Sequence, residues 1–331
     1  MLKTHLAVRD DPHVFATPDA LVTLGASRSA VASMRFWSSA FKLTDGIRHQ
    51  PGTASDVLPT ARARWLLHED GDSYLEEDKS LWLLHWWLLA PPCLVPAWFY
   101  TFCLSPLTRL EPDRLRAGIE RAAAAASWKR QPTSTTLHRD ISCMVRMYTP
   151  GTPHEQPRAT FEDLVDRPFS VLRLLNSGPD GVVRLSSSAG AAAPAAIVAY
   201  ACLEYASRFT PGPGSISVGR LLTDDAGPGR VLRLPPRSLS RALTAAAVTH
   251  PQLRLTHNGD GIEVLTYSCP PLALAWNILD ASYGHVRRRL GIHPEQGTPG
   301  QPTERASAAE QLALDDSLAS DGRRRPSTPR S

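Results

Sequence analysis

Cysteine pairing, strong net charge and internal repetition are all missing from this chain, and each absence narrows its class. The five cysteines (Cys93, Cys103, Cys143, Cys202, Cys269) are odd in number and scattered, with no C-x-x-C among them. Neither a disulfide framework nor a zinc site is therefore indicated. Net charge is only +4 over 331 residues. From Ile292 onward six acids face five arginines, so residues 1–291 carry about +5. That is mildly basic, compatible with a nucleic-acid partner without requiring one. No secretory leader is read ahead of Asp10 and Asp11, and the expected compartment is the cytoplasm. No recognisable nuclease motif occurs.

What the chain does have is apolar residues, 42% of the total, enough for a sizeable core. They concentrate at Tyr74–Leu104, YLEEDKSLWLLHWWLLAPPCLVPAWFYTFCL, which holds four of the eight tryptophans. Its length would suffice for a bilayer span of about 20 apolar residues. Pro91, Pro92 and Pro96 argue against one, since each removes a backbone donor and clashes with the preceding turn. The spacing predicts two short buried helices instead, near Lys79–Leu89 and Val95–Leu104, joined by a Pro-Pro turn. No membrane contact is expected.

Composition divides the chain into four parts. A helix-turn-helix (winged-helix-like) domain is expected at 14–70, a helical Trp-rich core at 71–205, a winged-helix-like domain at 212–291 and a disordered tail at 294–331. The tail ends in Arg323-Arg324-Arg325 and has too few large apolar residues to offset chain entropy. The expected fold class is mostly α with small β-wings, helix-turn-helix/winged-helix units flanking a helical core.

The first functional signal is Thr17–Leu43, TPDALVTLGASRSAVASMRFWSSAFKL. Thr17 and Pro18 read as a helix start, Gly25 as a break and Ser27 as the cap of a second helix running to about Ala40. Ala30, Met34, Trp37 and Phe41 form the expected buried stripe, with Arg28, Ala32, Arg35 and Ser39 on an outward face. Two helices across a tight turn match a helix-turn-helix. Ser27, Arg28 and Ser29 would lie near bases or phosphates, and Arg35 and Lys42 on phosphates. An ordinary helical hairpin would give the same spacing. Ser238–Val248 followed by a hairpin at 253–267, turning at Asn258-Gly259-Asp260-Gly261, suggests a second such unit, for a DNA backbone or for subunit contact.

The third signal is LHRDISCMVRMY at 137–148. Ile141, Met144, Val145 and Tyr148 share one face and are expected in the core. Asp140 at the helix start is explained either by the helix dipole or by a phosphate site, with Asp140 on a divalent metal and Arg139 against a phosphodiester. Glu76, Glu77 and Asp78 are the nearest further carboxylates in sequence, though they also precede a helix. His85 reads as either a base or a hydrogen-bonded core residue.

Six segments carry a resemblance: LGASRSAVASMRFW at 24–37, YLEEDKSLWLLHWWLL at 74–89, AWFYTF at 97–102, LHRDISCMVRMY, AIVAYACLEY at 196–205 and GPGRVLRL at 227–234. In this order they resemble the bacterial domain of unknown function 4007 family over about residues 14–285. That family is associated with DNA phosphorothioation, and the DNA-nicking component of the Ssp-type system is identified as a member. The resemblance implies a DNA-binding component of a modification and defence system, with double-stranded DNA as partner. A cysteine desulfurase, an ATP-pyrophosphatase-like protein and an ATPase would be its companions, and a homodimer is left open. The family pattern falls on Gly25, Arg28, Trp37, Tyr74, Leu75, Glu76, Trp82, His85, Trp86, Arg139 and Asp140. It departs at the N-terminus, where only Met1–His13 precede the helix-turn-helix. Two readings follow. A nickase would use Asp140 and Glu76 on Mg²⁺ or Mn²⁺, with Arg139 and His85 as further catalytic candidates; an adaptor would bind DNA and recruit the sulfur-transfer proteins without cutting.

Overall fold

Helices begin ahead of the expected domain start. The structure, a computed structural model, describes residues 1–47, 56–126, 131–150, 167–178, 180 and 182–284. The expected tail and its arginines lie outside the described residues. Helix α1 (Leu2–Asp10) buries Thr4, His5 and Val8. It packs on α3 (Arg28–Ala40), which follows the short α2 (Ala20–Thr23). The Ser27 hydroxyl caps α3 by accepting from the Ala30 N–H at 3.3 Å, and Gly25 takes φ +50° where α2 stops. Thr17 does not cap as expected: its hydroxyl donates to the Val14 carbonyl at 3.1 Å, and α2 starts only after Asp19. The antiparallel ribbon β1 (Thr44–Ile47) and β2 (Asp56–Pro59) closes this unit.

Val8, Val14, Leu24, Val31 and Val57 form its small core. The expected stripe of α3 is met in part. Phe41 is buried, and Ala30, Met34 and Trp37 are half-buried, while Val31 and Ser38 are buried beside them. The cause is α1, a packing partner that the hydrophobic pattern of α3 alone does not disclose.

Next come α4 (Ala61–Leu66), α5 (Asp78–Leu89) and α6 (Pro96–Phe99), the last continuing through a π-turn to Leu104. Trp82 to Leu89 are all buried, the mark of a helix enclosed in a core rather than lying on its surface. Helix α5 ends at Ala90 because a residue before proline is pushed out of the helical region, and the Pro91-Pro92 bond is cis. This matches the two expected buried helices. Among the described residues no helix is long and apolar enough to cross a membrane.

Helices α7 (Pro112–Ala125) and α8 (Ser134–Tyr148) pack together, followed by the ribbon β3 (Leu175–Ser177) and β4 (Val183–Leu185) and by α9 (Ala195–Ala206). Helix α8 starts three residues before the expected Leu137. The Thr133 hydroxyl accepts from the Thr136 N–H at 3.2 Å, and this polar first turn carries no apolar period. Asp140 thus falls in the second turn, beyond most of the reach of the helix dipole, so the dipole account of it is withdrawn.

The C-terminal elements are β5 (Gly214–Ser217), α10 (Val218–Thr223), α11 (Pro228–Val231), α12 (Pro236–Thr249), β6 (Leu253–His257), β7 (Glu263–Tyr267) and α13 (Pro271–Ser282). The expected hairpin pairs Leu253 with Tyr267 and His257 with Glu263, and β5 adds to β7. At its turn the Asn258 carboxamide oxygen accepts from the Asp260 and Ile262 N–H groups, and Gly261 takes φ +75°. One cluster of buried residues runs from Ala40 to Tyr283, through α5, α9 and α13. Mostly helical with small antiparallel sheets, the chain has the expected coarse class.

Candidate functional site

Helix α3 presents Arg28, Ser29, Ala32 and Arg35 to solvent. Arg28 and Arg35 are seven residues apart, so they share a face about 10 Å apart along the axis. Neither has an ion-pair partner among the described residues. Ser27 is exposed beside them, but its hydroxyl also holds the helix start.

Lys42 is not on that face. It follows α3 in the left-handed region, φ +58°. The Leu43 N–H donates to Ser38 and the Lys42 N–H to Ser39, both at 2.8 Å, a Schellman ending whose left-handed position usually holds glycine. A non-glycine residue there costs about 1–3 kcal/mol. Thr60 donates to the Lys42 carbonyl at 2.7 Å and pins this backbone. The side chain turns inward, and Nζ donates to the Trp87 carbonyl. That carbonyl would ordinarily meet the N–H four residues on, but residue 91 is proline and has none. Burial pulls the Lys42 ammonium down to about 8.

Lys42 stands in a cleft of about 500 Å³. Its lining comes from α3, β1 and the start of α4, with Arg35 and Arg62, and from the apolar Pro91, Pro92 and Leu94. Arg62 pairs with Glu204 of α9, which also accepts from the Trp86 indole. The Arg62 guanidinium lies 5.3 Å from the Trp87 ring centroid. The hydroxyls of Ser39, Thr44 and Thr60 are bonded to protein partners, so among the described residues the remaining polarity of the cleft comes from Lys42, Arg35 and Asp45.

The acids expected for catalysis occupy other places. Asp140 is half-buried on α8, and its carboxyl has no hydrogen-bond partner among the described residues. Burial alone raises it to about 6. Arg139 is exposed beside it. Glu76 is exposed in the turn before α5, where the buried Asp72 carboxylate accepts from the Glu76 and Glu77 N–H groups at 2.8 and 3.0 Å. Asp72 organises that turn, while Glu77 forms an ion pair with Lys79 at 2.5 Å. Among the described residues no three His, Cys, Asp or Glu side chains come together to hold a metal.

His85 is fully buried on α5. Nδ1 meets the Tyr148 hydroxyl at 2.6 Å and Nε2 the Val231 carbonyl at 2.8 Å. Desolvation lowers it to about 4, so it is neutral at pH 7. The structure therefore gives the hydrogen-bonded core residue, not a base open to substrate. Arg62 and Glu204 were not read from sequence. A single acid in the apolar run AIVAYACLEY signals a buried charge in need of a partner, but its cation lies 142 residues away.

Comparison with known proteins gives one family. The profile of a protein of unknown function, DUF4007, matches residues 1–283, so α1 falls within it. The chain is similar to the SspB crystal structure, at 38% identity and TM-score 0.79, covering 88% of this chain and 86% of that one. The magnesium ion-bound SspB crystal structure is 37% identical, with the same TM-score and coverage. No curated protein matches.

Proposed function

Because the chain belongs to the DUF4007 family, we propose that it is an SspB-like, DNA-binding component of a bacterial DNA phosphorothioation system, nicking one strand so that sulfur can enter the backbone. The observation that carries this reading is the likeness to SspB across most of both chains. Two helix-and-ribbon units support the DNA-binding part. In the first, the exposed Arg28 and Arg35 offer phosphate contacts on α3. In the second, α9, β5, α10, α12 and the β6–β7 hairpin follow one another as in a winged helix, with β7 between β5 and β6.

For the nick, Asp140 is the leading acid of this reading, Arg139 the group that would steady charge on the phosphodiester, and Glu76 a further carboxylate. Mg²⁺ or Mn²⁺ is proposed as cofactor because a similar SspB binds magnesium. Asp140 and Glu76 do not by themselves make a closed donor set. His85 is left out, since both its nitrogens are engaged in the core.

The adaptor is the second reading, favoured by the lack of a three-donor acidic cluster among the described residues. It recruits the cysteine desulfurase, the ATP-pyrophosphatase-like protein and the ATPase, alone or as a homodimer. Conversion of supercoiled plasmid to open circle in Mg²⁺, Mn²⁺ or EDTA tests the choice. Metal-dependent open circles with the wild type, lost in Asp140→Ala while duplex binding persists, are expected. DNA binding without open circles in any metal makes the protein an adaptor, and equal nicking by the variant removes Asp140 from the site.

A further inference from the structure

We propose that the cleft beside α3 is a subsite for one phosphate-bearing nucleotide, with its phosphate on the Lys42 ammonium and its sugar and base along Pro91, Pro92 and Leu94. The inference rests on the DNA-binding reading and deepens it, by assigning a place for a nucleotide turned out of the duplex contacted by α3.

Four observations converge. The volume, about 500 Å³, falls in the range of pockets that enclose a small ligand. The cleft is amphipathic in the manner of a nucleotide, lined by Pro91, Pro92 and Leu94 as well as by Lys42 and Arg35. Lys42 has three donors, of which the Trp87 carbonyl takes one. The buried acid Glu204 is already held by Arg62 and the Trp86 indole, and among the described residues Lys42 forms no ion pair. Finally, the left-handed position that ends α3 would be filled with less strain by glycine, yet it holds a lysine, and that lysine lines the cleft.

Continuity with α3 favours a nucleotide carried on a strand. Arg35 belongs both to the rim of the cleft and to the exposed face that holds Arg28. The same chemistry would admit a free mononucleotide, so the probes must separate the two sources.

The test titrates the full chain with thymidine 5′-monophosphate, with tetrathymidylate and with a 20-base-pair duplex, comparing wild type, Lys42→Met and Leu94→Trp. The first variant keeps the lysine stem and removes the charge; the second fills the cleft and leaves the charge in place. Circular dichroism checks that each is folded. Wild-type binding of tetrathymidylate, weakened at least tenfold in both variants, is expected. Binding of the monophosphate as well extends the subsite to free nucleotides; binding of the tetranucleotide alone confines it to strands. Unchanged binding in both variants, or no wild-type binding of either short probe, overturns the subsite. Absence of duplex binding by the wild type would instead overturn the DNA-binding reading, and the monophosphate arm would still report on the cleft.

Discussion

Between the Val231 carbonyl and the Tyr148 hydroxyl, the imidazole of His85 can hold only one tautomer. A carbonyl only accepts, so Nε2 carries the proton, and Nδ1 accepts from the Tyr148 hydroxyl. His85→Phe keeps an aromatic ring in the core and leaves both partners without a bond, at about 1–3 kcal/mol for each. Its folded-state value, about 4, lies below the ordinary 6.5. Its contribution is therefore present above pH 6.5 and is lost as pH falls toward 4. Asp140, raised to about 6, acts in the opposite sense: its contribution is present at the lowest pH and lost as pH rises through 6. Urea unfolding of wild type and variant from pH 4 to 8 isolates His85, because Asp140 is common to both. The gap between them should be widest above pH 6.5 and should narrow toward pH 4; a constant gap would mean that His85 titrates normally. The charge that fits least well in sequence terms, Glu204, follows the same logic. Nothing in its own segment says which cation it meets, and only the fold brings Arg62 to it.

At the scale of elements, α3 joins two roles in adjacent residues, and substitutions can part them. Ser27→Ala removes the cap at a cost of about 1 kcal/mol, whereas Ser27→Gly costs only a few tenths. If the hydroxyl serves the helix alone, duplex binding is unchanged in the glycine variant; equal loss of binding in both would make Ser27 a DNA contact. Arg28→Ala and Arg35→Ala should leave stability within about 0.5 kcal/mol, as for other exposed sites. Each should reduce the slope of log affinity against log salt by about 1. An unchanged slope in both would take α3 off the DNA. Much of this element was legible: its cap, its end near Ala40 and its outward arginines all follow from local rules. Its inner stripe was legible only in part, because α1 supplies the face against which Val31 packs. The place of Lys42, expected on a phosphate, does not follow from local rules: the chain turns left-handed after α3, and its side chain runs in to the Trp87 carbonyl. Helix α5 and the β6–β7 hairpin were read well because apolar density and turn residues are local signals. Strand β5, four residues of Gly-Ser-Ile-Ser, carries almost none.

One cluster of buried residues crosses the change of composition near residue 70. Ala40, Phe41 and Leu43, at the end of α3 and just after it, belong to the main core rather than to the small N-terminal one. Phe41 packs 5.8 Å from Phe169, which lies 4.9 Å from Tyr148 at the end of α8. Trp37 packs 5.7 Å from Trp98. Trp65 of α4 donates to Asp280 at 2.7 Å and stacks edge-on with Trp276 and Tyr283 of the C-terminal region. A fragment of residues 1–70, cut where the sequence shifts, would expose Trp37, Phe41 and Trp65. Each buried Phe or Leu side chain is worth about 1.5–3 kcal/mol, and the whole stability of a small domain is only about 5–15 kcal/mol. The remaining core of Val8, Val14, Leu24, Val31 and Val57 is too small to make up that loss. The fragment should therefore show no cooperative thermal unfolding by circular dichroism and should not bind duplex DNA, although it contains every basic residue of α3. A fragment that melts cooperatively and binds as tightly as the full chain would show that the N-terminal unit is independent. In that case α3 would not depend on the core to hold its DNA-facing residues in place.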